Sequence, residues 1–533
     1  MIRRFPLSTG QMKSAWIGLL LVSLLLAACT VPGAAQLEQV NPQASALPAN
    51  GYPYPIPDTR IAPSPVNTPI KTEAPSGQPP STEPAGYVYH VQPGDTLAAL
   101  ARRFQVAAEG IQSNGLLPEK GLLLTGQKLY FSGASGTGEP QARLLPDSEV
   151  VYSPNAATFD VKKTVQDAGG YFAGYGEYLR STGWTSAAQI TSRVAREFSI
   201  NPRLLLSLLE YECGCLRGGL REGVDPDFLL GVPGYRNKGL YHQLEWAANQ
   251  LSAGYYGWRS GALIEFQGAN GIMARPAPEL NAGSAALTYY FWQKIASVPG
   301  EADAWQRTID SSAGIAAIHA ELFGNPWERD TASGVLLPDS LSQPGLNLPF
   351  EPGVLWSYSS GPHAAWGALG AQAALDFAPA VPISGCVQTD AWVVAVADGL
   401  VVRSEVGVVV QDLYMSQAEE PIDGLEQTGW AVVYLHIEER GRVEKGTYLR
   451  AGDRIGHPSC EGGRANGTHV HIARKYNGEW MAADGPVPFV MSGWTAHAGE
   501  LPYKGTLSLG KTTLVAHPNG SRQTQIMIPD NAP

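Results

Sequence analysis

The sequence is short of positive charge. Its 37 lysines and arginines stand against 48 aspartates and glutamates, which gives a formal net charge of −11. Proteins that bind a phosphate backbone need clustered Lys and Arg on their surface. The composition therefore argues against nucleic acid as a partner.

Long apolar runs are scarce as well. The run at residues 16–28 follows a basic N-terminus and ends in Leu-Ala-Ala before Cys29. It is too short to span a membrane comfortably, and its flanks are typical of a secretory signal, so we expect export. The ending also resembles a bacterial lipobox, which implies a lipoprotein signal peptide at 1–29 and a lipid-anchored Cys29 facing the cell wall. The alternatives are an ordinary cleaved signal and an uncleaved anchor.

Cysteine is the third scarcity, with five in 533 residues. In an oxidising compartment the four cysteines after Cys29 can form disulfides. Cys386 and Cys460 are a candidate pair, and the alternative is two separate buried thiols. Cys213 and Cys215 are two apart, and such neighbours on a helix do not face each other, so we expect no bond between them.

Length and turn residues predict several units. A chain of 533 residues exceeds one core and suggests three or four domains, while 60 glycines and 41 prolines indicate many turns. Residues 30–86 are rich in Pro, Ala, Ser and Thr and have little apolar periodicity. We expect a disordered or polyproline tether there.

Residues 87–132 predict a small mixed module. Alternating apolar residues run into a Pro-Gly turn, and Asp95 is a candidate helix N-cap. Helical spacing follows at 97–104, a second short helix is expected at 111–114, and a strand at 127–131 closes the module. The predicted order is therefore βααβ.

The same module opens with Tyr-x-Val-x-x-Gly-Asp-Thr-Leu at residues 89–97. That opening resembles the LysM peptidoglycan-binding module. The resemblance implies binding to glycan that contains N-acetylglucosamine, with Gly94, Asp95 and Thr96 as candidate contacts, and no catalysis in this module.

Residues 147–330 have longer helical patterns. Asn201 followed by Pro202 predicts the start of a helix, and the leucine-rich run after them ends in Glu210-Tyr211-Glu212-Cys213-Gly214. The pattern resembles the helix of lysozyme-like lytic transglycosylases and glucosaminidases, which implies a mostly α domain with Glu212 as the acid for glycan cleavage. A Cys replaces the family's Ser, and the usual Gly-Leu-Met-Gln is missing. The alternative is a helical spacer or glycan cradle.

From about residue 350 short valine-rich runs alternate with Asp-Gly and Gly turns, which predicts an antiparallel β domain at 350–490 and an extension at 491–533. The fold class is thus multidomain α+β. In an extended strand His469 and His471 would face the same side. Upstream partners are His363, Asp376 and His436.

A hydrolytic zinc site needs three His or carboxylate ligands and one open position. The last domain resembles zinc endopeptidases of the LytM and lysostaphin type, which cut peptide cross-links in peptidoglycan. The resemblance implies one Zn²⁺ held by His363, Asp376 and His471, with His436 and His469 as catalytic histidines.

One departure concerns the first ligand pair. Twelve residues separate His363 from Asp376, whereas the family usually has three between them. A loop inserted between the ligands would preserve the geometry. Otherwise a different upstream residue is the ligand, and Asp376 is the firmer of the two.

The residues together predict an exported, lipid-anchored hydrolase of the cell wall: a zinc endopeptidase bound to peptidoglycan through LysM, with a second, glycan-cleaving activity at Glu212 as an addition. The rival hypothesis is a non-enzymatic lipoprotein that activates a peptidoglycan amidase, because such LysM and LytM-like proteins can have degenerate metal sites. Retained zinc ligands favour the enzyme.

Overall fold

The computed structural model describes residues 87–132, 143–267, 273–296, 307–310, 312–381, 384–414 and 422–529. The predicted signal peptide with Cys29 and the predicted tether lie outside the described residues. All the described residues belong to one structural unit. Among the helices in these ranges, none combines the length and the hydropathy needed to cross a bilayer.

The N-terminal module is a three-stranded antiparallel sheet with one helix. Its strand order is β1-β3-β2, formed by β1 (Tyr87–His90), β2 (Ile111–Ser113) and β3 (Lys128–Phe131), with α1 (Leu97–Phe104) between the first two strands. The expected second helix is a 3₁₀ turn at Ala108–Gly110. A helix at 111–114 is wrong, because Ile111 pairs with Phe131 across the sheet and buries its side chain.

The middle region is helical. Its elements are α2 (Val161–Ala168), α3 (Tyr171–Gly174), the hairpin β4 (Gly176–Leu179) and β5 (Gly183–Ser186), α4 (Ala187–Phe198), α5 (Pro202–Cys213), α6 (Leu240–Ser260), the short strands β6 (Phe266–Gln267) and β7 (Met273–Ala274), α7 (Ala282–Ala296), α8 (Ile315–Phe323) and α9 (Pro326–Ser333). As predicted from the sequence, Asn201 is the N-cap of α5 and Pro202 its first residue, and Asn201 Oδ1 accepts a hydrogen bond from the Arg203 amide at 3.0 Å.

The end of α5 corrects one expectation about the cysteines. Cys213 is the last helical residue, and Gly214 follows with φ 65°, a left-handed conformation that suits glycine. The chain therefore reverses, and a disulfide joins Cys213 to Cys215. The expectation that they do not bond is wrong, because Cys215 lies beyond the helix rather than on it.

The C-terminal region is built of strands. They are β8 (Trp356–Ala364), β9 (Gln372–Pro379), β10 (Val393–Val394), β11 (Gly399–Glu405), β12 (Val408–Leu413), β13 (Trp430–Leu435), β14 (Tyr448–Leu449), β15 (Arg454–Gly456), β16 (Val470–Tyr476), β17 (Glu479–Trp480), β18 (Val490–Met491), β19 (Trp494–Ala498), β20 (Gly505–Leu509), β21 (Thr512–Val515) and β22 (Gln525–Ile526). The largest sheet of the described residues has the order β14-β11-β12-β13-β16-β9-β8-β22, with β17 paired to β16.

Both faces of this sheet are buried. On one face Val433 and Ala473 belong to the same apolar core as the helices. On the other face Val432 and Ile472 belong to a second core with the C-terminal strands. Because side chains alternate along a strand, His471 lies on the same face as Ala473, the face that packs against the helical region.

Candidate metal centre

Three neighbouring strands bring the predicted ligands together. In the centre of the sheet, His471 on β16 stands opposite Asp376 on β9. Strands β8 and β9 form an antiparallel hairpin with irregular register, and His363 near its end stands opposite Ala374. The twelve residues between His363 and Asp376 are therefore the end of one strand, a loop at 365–371 and the start of the next strand.

The distances within this group are short and similar. His363 Nε2 lies 3.0 Å from His471 Nδ1 and 3.4 Å from Asp376 Oδ1, and His471 Nδ1 lies 3.2 Å from the same oxygen. Tetrahedral zinc with bonds of about 2.0–2.1 Å holds its ligand atoms about 3.3 Å apart. The three atoms thus fit three corners of a zinc site and leave the fourth corner for water or substrate.

Hydrogen bonds fix which ring nitrogen faces the group. His363 Nδ1 lies 2.9 Å from Gly361 O, and His471 Nε2 lies 3.0 Å from Ala365 O. A carbonyl only accepts, so these nitrogens donate, and the opposite nitrogens present lone pairs to each other. Asp376 Oδ1 beside them is buried without a hydrogen-bond partner. A buried set of acceptors without donors is satisfied by a cation, which is what the chemistry of zinc ligands requires.

Charge interactions link the three side chains of the group. Burial alone would raise the pKa of the Asp376 carboxyl, but His363 and His469 hold it well below its usual range. Burial alone would lower the pKa of His363, and the Asp376 carboxylate raises it instead. Burial lowers the pKa of His471. At neutral pH Asp376 is therefore a carboxylate and His471 a neutral imidazole, which are the forms that bind metal, whereas the raised pKa of His363 favours a proton that a bound cation would displace.

The two remaining histidines lie next to the ligands. His469 Nδ1 donates to Gly467 O at 2.7 Å, and His436 Nδ1 donates to Glu461 O at 2.8 Å. Their rings are 4.5 Å apart, and His469 Nε2 is 3.7 Å from Asp376 Oδ2. With Nδ1 donating, the neutral form of each ring carries a lone pair on Nε2. Burial and the neighbouring His469 and His471 lower the pKa of His436 to about 3.

His436 also has a strained backbone. Its φ is 67°, a left-handed conformation that costs a non-glycine residue roughly 1–3 kcal/mol. Ser459 holds the residue by donating its amide proton to His436 O at 2.7 Å. The next residue, Cys460, is joined to Cys386 by a disulfide, with Cα atoms 5.7 Å apart. The disulfide predicted from sequence therefore braces the segment that carries His436.

Other predicted site residues lie in different surroundings. Glu212, at the end of α5, forms an ion pair with Lys294 on α7, and burial raises the pKa of its carboxyl. Its side chain is 13% exposed. A role for Glu212 in glycan cleavage stays a prediction, as does a lysozyme-like fold for residues 147–330.

The three candidate glycan contacts of the N-terminal module have structural partners. Gly94 is buried against the Arg259 side chain of α6. Asp95 is 4% exposed, is paired with Arg103 and accepts a hydrogen bond from Tyr89 Oη at 2.6 Å. Thr96 caps α1 by accepting from the Ala99 amide. The Asp95 carboxylate thus already has buried partners, and glycan contact by these three residues stays a prediction.

Sequence reasoning missed two groups around the metal ligands. The Tyr503 ring, from the C-terminal extension, stacks on His363 with centroids 4.4 Å apart, and its amide donates to Pro362 O at 3.1 Å. The Ala365 carbonyl orients His471. Neither has a local sequence signal, because both act through contacts between segments that are distant in the chain.

Comparisons with known proteins agree with this organisation. The family model described as LysM domain matches residues 89–131, and the model described as LasA, N-terminal domain matches residues 143–336. Over 306 residues the chain is 26% identical to Protease LasA of one Pseudomonas aeruginosa strain and 27% identical to that of another. Each match covers 54% of this chain and 66% of the relative. The chain thus spans just under two thirds of the length of these proteases.

Solved structures give partial superpositions. The M23 metalloprotease pseudoalterin from the deep sea is 22% identical, with a TM-score of 0.26, over 33% of this chain and 96% of that one. The catalytic domain of lysostaphin from Staphylococcus simulans is 20% identical, with a TM-score of 0.16, over 25% and 89%.

Proposed function

We propose that this chain is a zinc-dependent endopeptidase that cleaves peptide bonds of peptidoglycan. The observation that carries the proposal is the buried group of His363, Asp376 and His471, whose three ligand atoms have tetrahedral spacing. The sequence similarity to Protease LasA supports peptidase activity. The LysM match supports glycan binding by the N-terminal module, and the sequence of residues 1–29 supports export with a lipid anchor at Cys29.

A bound zinc ion would supply Lewis-acid polarisation of the scissile carbonyl and favour deprotonation of water near neutral pH. The protein's own groups would handle the protons. His436 donates from Nδ1 to Glu461 O, so the lone pair on its Nε2 can accept a proton from the attacking water, and the ring can then return that proton to the leaving amine. His469 lies beside the Asp376 carboxylate, and when both of its ring nitrogens carry protons its Nε2 would donate to the developing oxyanion.

The rival function is non-enzymatic activation of a peptidoglycan amidase. Such a role needs no metal, and a regulator would be under no constraint to keep an unpaired carboxylate oxygen among imidazole lone pairs. This chain keeps the ligand types, and their ligand atoms lie within 4.8 Å of one another. The enzyme is therefore the better supported proposal.

A second proposal concerns glycan cleavage at Glu212. The support is a buried carboxyl with a raised pKa, which suits a general acid. The Lys294 ammonium paired with it opposes protonation. Glycan strands free of peptide decide the question, because cutting by wild type and not by Glu212→Gln supports this activity, and no cutting by either rejects it.

The test of the main proposal is zinc content together with mass analysis of released muropeptides. The purified protein should contain about one zinc per chain, because the described residues hold one candidate group. His471→Ala should lose both the metal and cleavage of wall peptides. A metal-free wild type that stimulates an amidase would reject the enzyme and support the regulator.

A further inference from the structure

The loop at 365–371, between β8 and β9, contacts one of the candidate metal ligands. Its first residue supplies the carbonyl that accepts the His471 Nε2 proton at 3.0 Å. The Ala365 amide donates to Ala371 O at 3.2 Å and closes the loop. The position of the Ala365 carbonyl therefore depends on the conformation of the whole loop.

The loop is held from outside the β region. Asn249, on α6 of the helical region, accepts hydrogen bonds at its Oδ1 from the Ala368 amide at 3.0 Å and the Leu369 amide at 3.2 Å. Its Nδ2 donates to Glu245 O at 2.9 Å, which fixes the orientation of the amide. Asn249 is only 4% exposed, so water cannot easily replace it as the acceptor.

Packing around the loop is as close as its glycines allow. A Cβ on Gly367 would lie 2.6 Å from Phe198 Cε1, and a Cβ on Gly370 would lie 3.0 Å from Ser252 Cβ. Both glycines have positive φ, 68° and 125°. The helical region thus presses on the loop at two places and bonds to it at a third, between them.

We propose that Asn249 is a positioning residue of the metal site. By holding the loop, it keeps the Ala365 carbonyl against His471 Nε2, and that hydrogen bond leaves Nδ1 unprotonated and aimed at the metal. The inference rests on the proposed zinc site and adds to it that the helical region is part of the site's supporting structure. Such outer hydrogen bonds are worth about 10–100-fold in metal affinity.

The test measures zinc affinity of the full chain by competition with a coloured chelator. Asn249→Leu removes the acceptor at similar volume and should weaken zinc binding about tenfold. Asn249→Asp keeps oxygen acceptors for the Ala368 and Leu369 amides but loses the bond to Glu245 O, so its zinc affinity should lie between those of Asn249→Leu and wild type. As a second readout, nitrogen chemical shifts of His471 are measured in the zinc-free protein. They should show a proton on Nε2 in wild type and a mixture of tautomers in Asn249→Leu.

The matched control lies on the same helix. Gln243 is fully buried, and its Oε1 also accepts from two backbone amides, those of Leu230 at 3.0 Å and Val232 at 3.4 Å. Gln243→Leu therefore removes the same kind of bonds without touching the loop at 365–371. Its zinc affinity should equal that of wild type.

The outcomes separate the two proposals. Zinc binding by Asn249→Leu at wild-type strength overturns the positioning role while leaving the zinc site intact. An equal loss in Gln243→Leu also overturns it, because the effect would then be general destabilisation. A wild type that binds no zinc rejects the proposed function, and the positioning role fails with it.

Discussion

Two buried groups among the described residues combine histidine with carboxylate. They differ in the hydrogen-bond donors that are available to the carboxylate. In the helical region His319 contacts Ser207 Oγ through Nδ1 at 2.9 Å and Glu149 Oε2 through Nε2 at 3.1 Å. Arg329 Nε donates to the other carboxylate oxygen at 2.6 Å. Ser207, His319 and Glu149 are fully buried.

The group of His363, Asp376 and His471 has similar burial and similar residue types but no arginine. In each neutral ring the nitrogen that carries the proton donates to a backbone carbonyl. The other nitrogen of each ring faces Asp376 Oδ1 as an acceptor. The helical group is complete without an added ion, whereas the strand group is not. The two groups thus differ in whether their buried acceptors have hydrogen-bond donors, and not in burial or residue type. This difference separates the candidate metal site from the structural cluster.

Neutralising the carboxylate of each group should give the largest difference between the two groups. Asp376→Asn should remove zinc and lower peptidase activity about a thousandfold, the equivalent of about 4 kcal/mol of transition-state stabilisation. Glu149→Gln should leave zinc content unchanged and destabilise the fold, because Arg329 loses its anion. Metal analysis and denaturant unfolding of both variants check this. Normal zinc in Asp376→Asn would contradict the assignment.

Removal of metal should affect only one of the two groups. At zinc a thousand times its dissociation constant, binding stabilises the native state by about 4 kcal/mol, so a strong chelator should lower the melting temperature of wild type. The His471→Ala variant should melt at the same temperature with and without chelator. An equal shift in both would mean that the chelator acts elsewhere.

The ion pair of Glu212 and Lys294 offers a simpler case of a balanced buried contact. Glu212→Gln removes the carboxylate that pairs with the Lys294 ammonium and should destabilise the protein by about 2 kcal/mol, with zinc content unchanged. Adding Lys294→Met should recover most of that loss. Calorimetry of the single and double variants measures the coupling, and an additive result would show that the pair contributes nothing.

The smallest effect concerns pH. Burial lowers the pKa of His319 below 6.5 in the folded state, although Glu149 opposes the shift. The unfolded chain therefore binds the proton first. The contribution of neutral His319 to the free energy of unfolding is fully present above pH 6.5. It should fall by about 1.4 kcal/mol per pH unit as the pH drops from 6.5 towards the pKa of His319 in the folded state. Denaturant midpoints between pH 7.5 and 5.5 measure the slope.

The control for that slope is His319→Gln, which cannot titrate. Its stability should change less over the same pH range, and the difference between the two slopes isolates His319 from the other histidines. Parallel slopes in wild type and variant would contradict a lowered pKa for His319.

Much of the strand site could be predicted from sequence because its signals are local. The alternation around His469 and His471 and the turn pattern of the last domain follow from strand geometry. The wide gap between His363 and Asp376 is a hairpin, which sequence could only offer as one of two explanations. The N-cap of α5 at Asn201 is likewise a local signal.

The features that could not be predicted from sequence are contacts between segments that are distant in the chain. Glu149 and His319 are 170 residues apart, and no periodicity relates them. The same is true of Asn249 and the loop that it holds, 119 residues away. Residues at 111–114 were predicted as a helix because the pattern was too short to separate from a strand, and the neighbouring β3 decided the outcome.

Arg259 joins the N-terminal module to the helical region and to the β region. Its guanidinium donates to Pro93 O in the N-terminal module and pairs with Asp147 in the helical region and with Glu479 on β17, next to the strand of His471. The module is therefore fixed to the β region rather than free to swing from it. If the module binds glycan as proposed, a bound strand would present its peptides at one set distance and direction from the proposed catalytic residues His436 and His469, and this geometry would set the spacing of cuts along the strand.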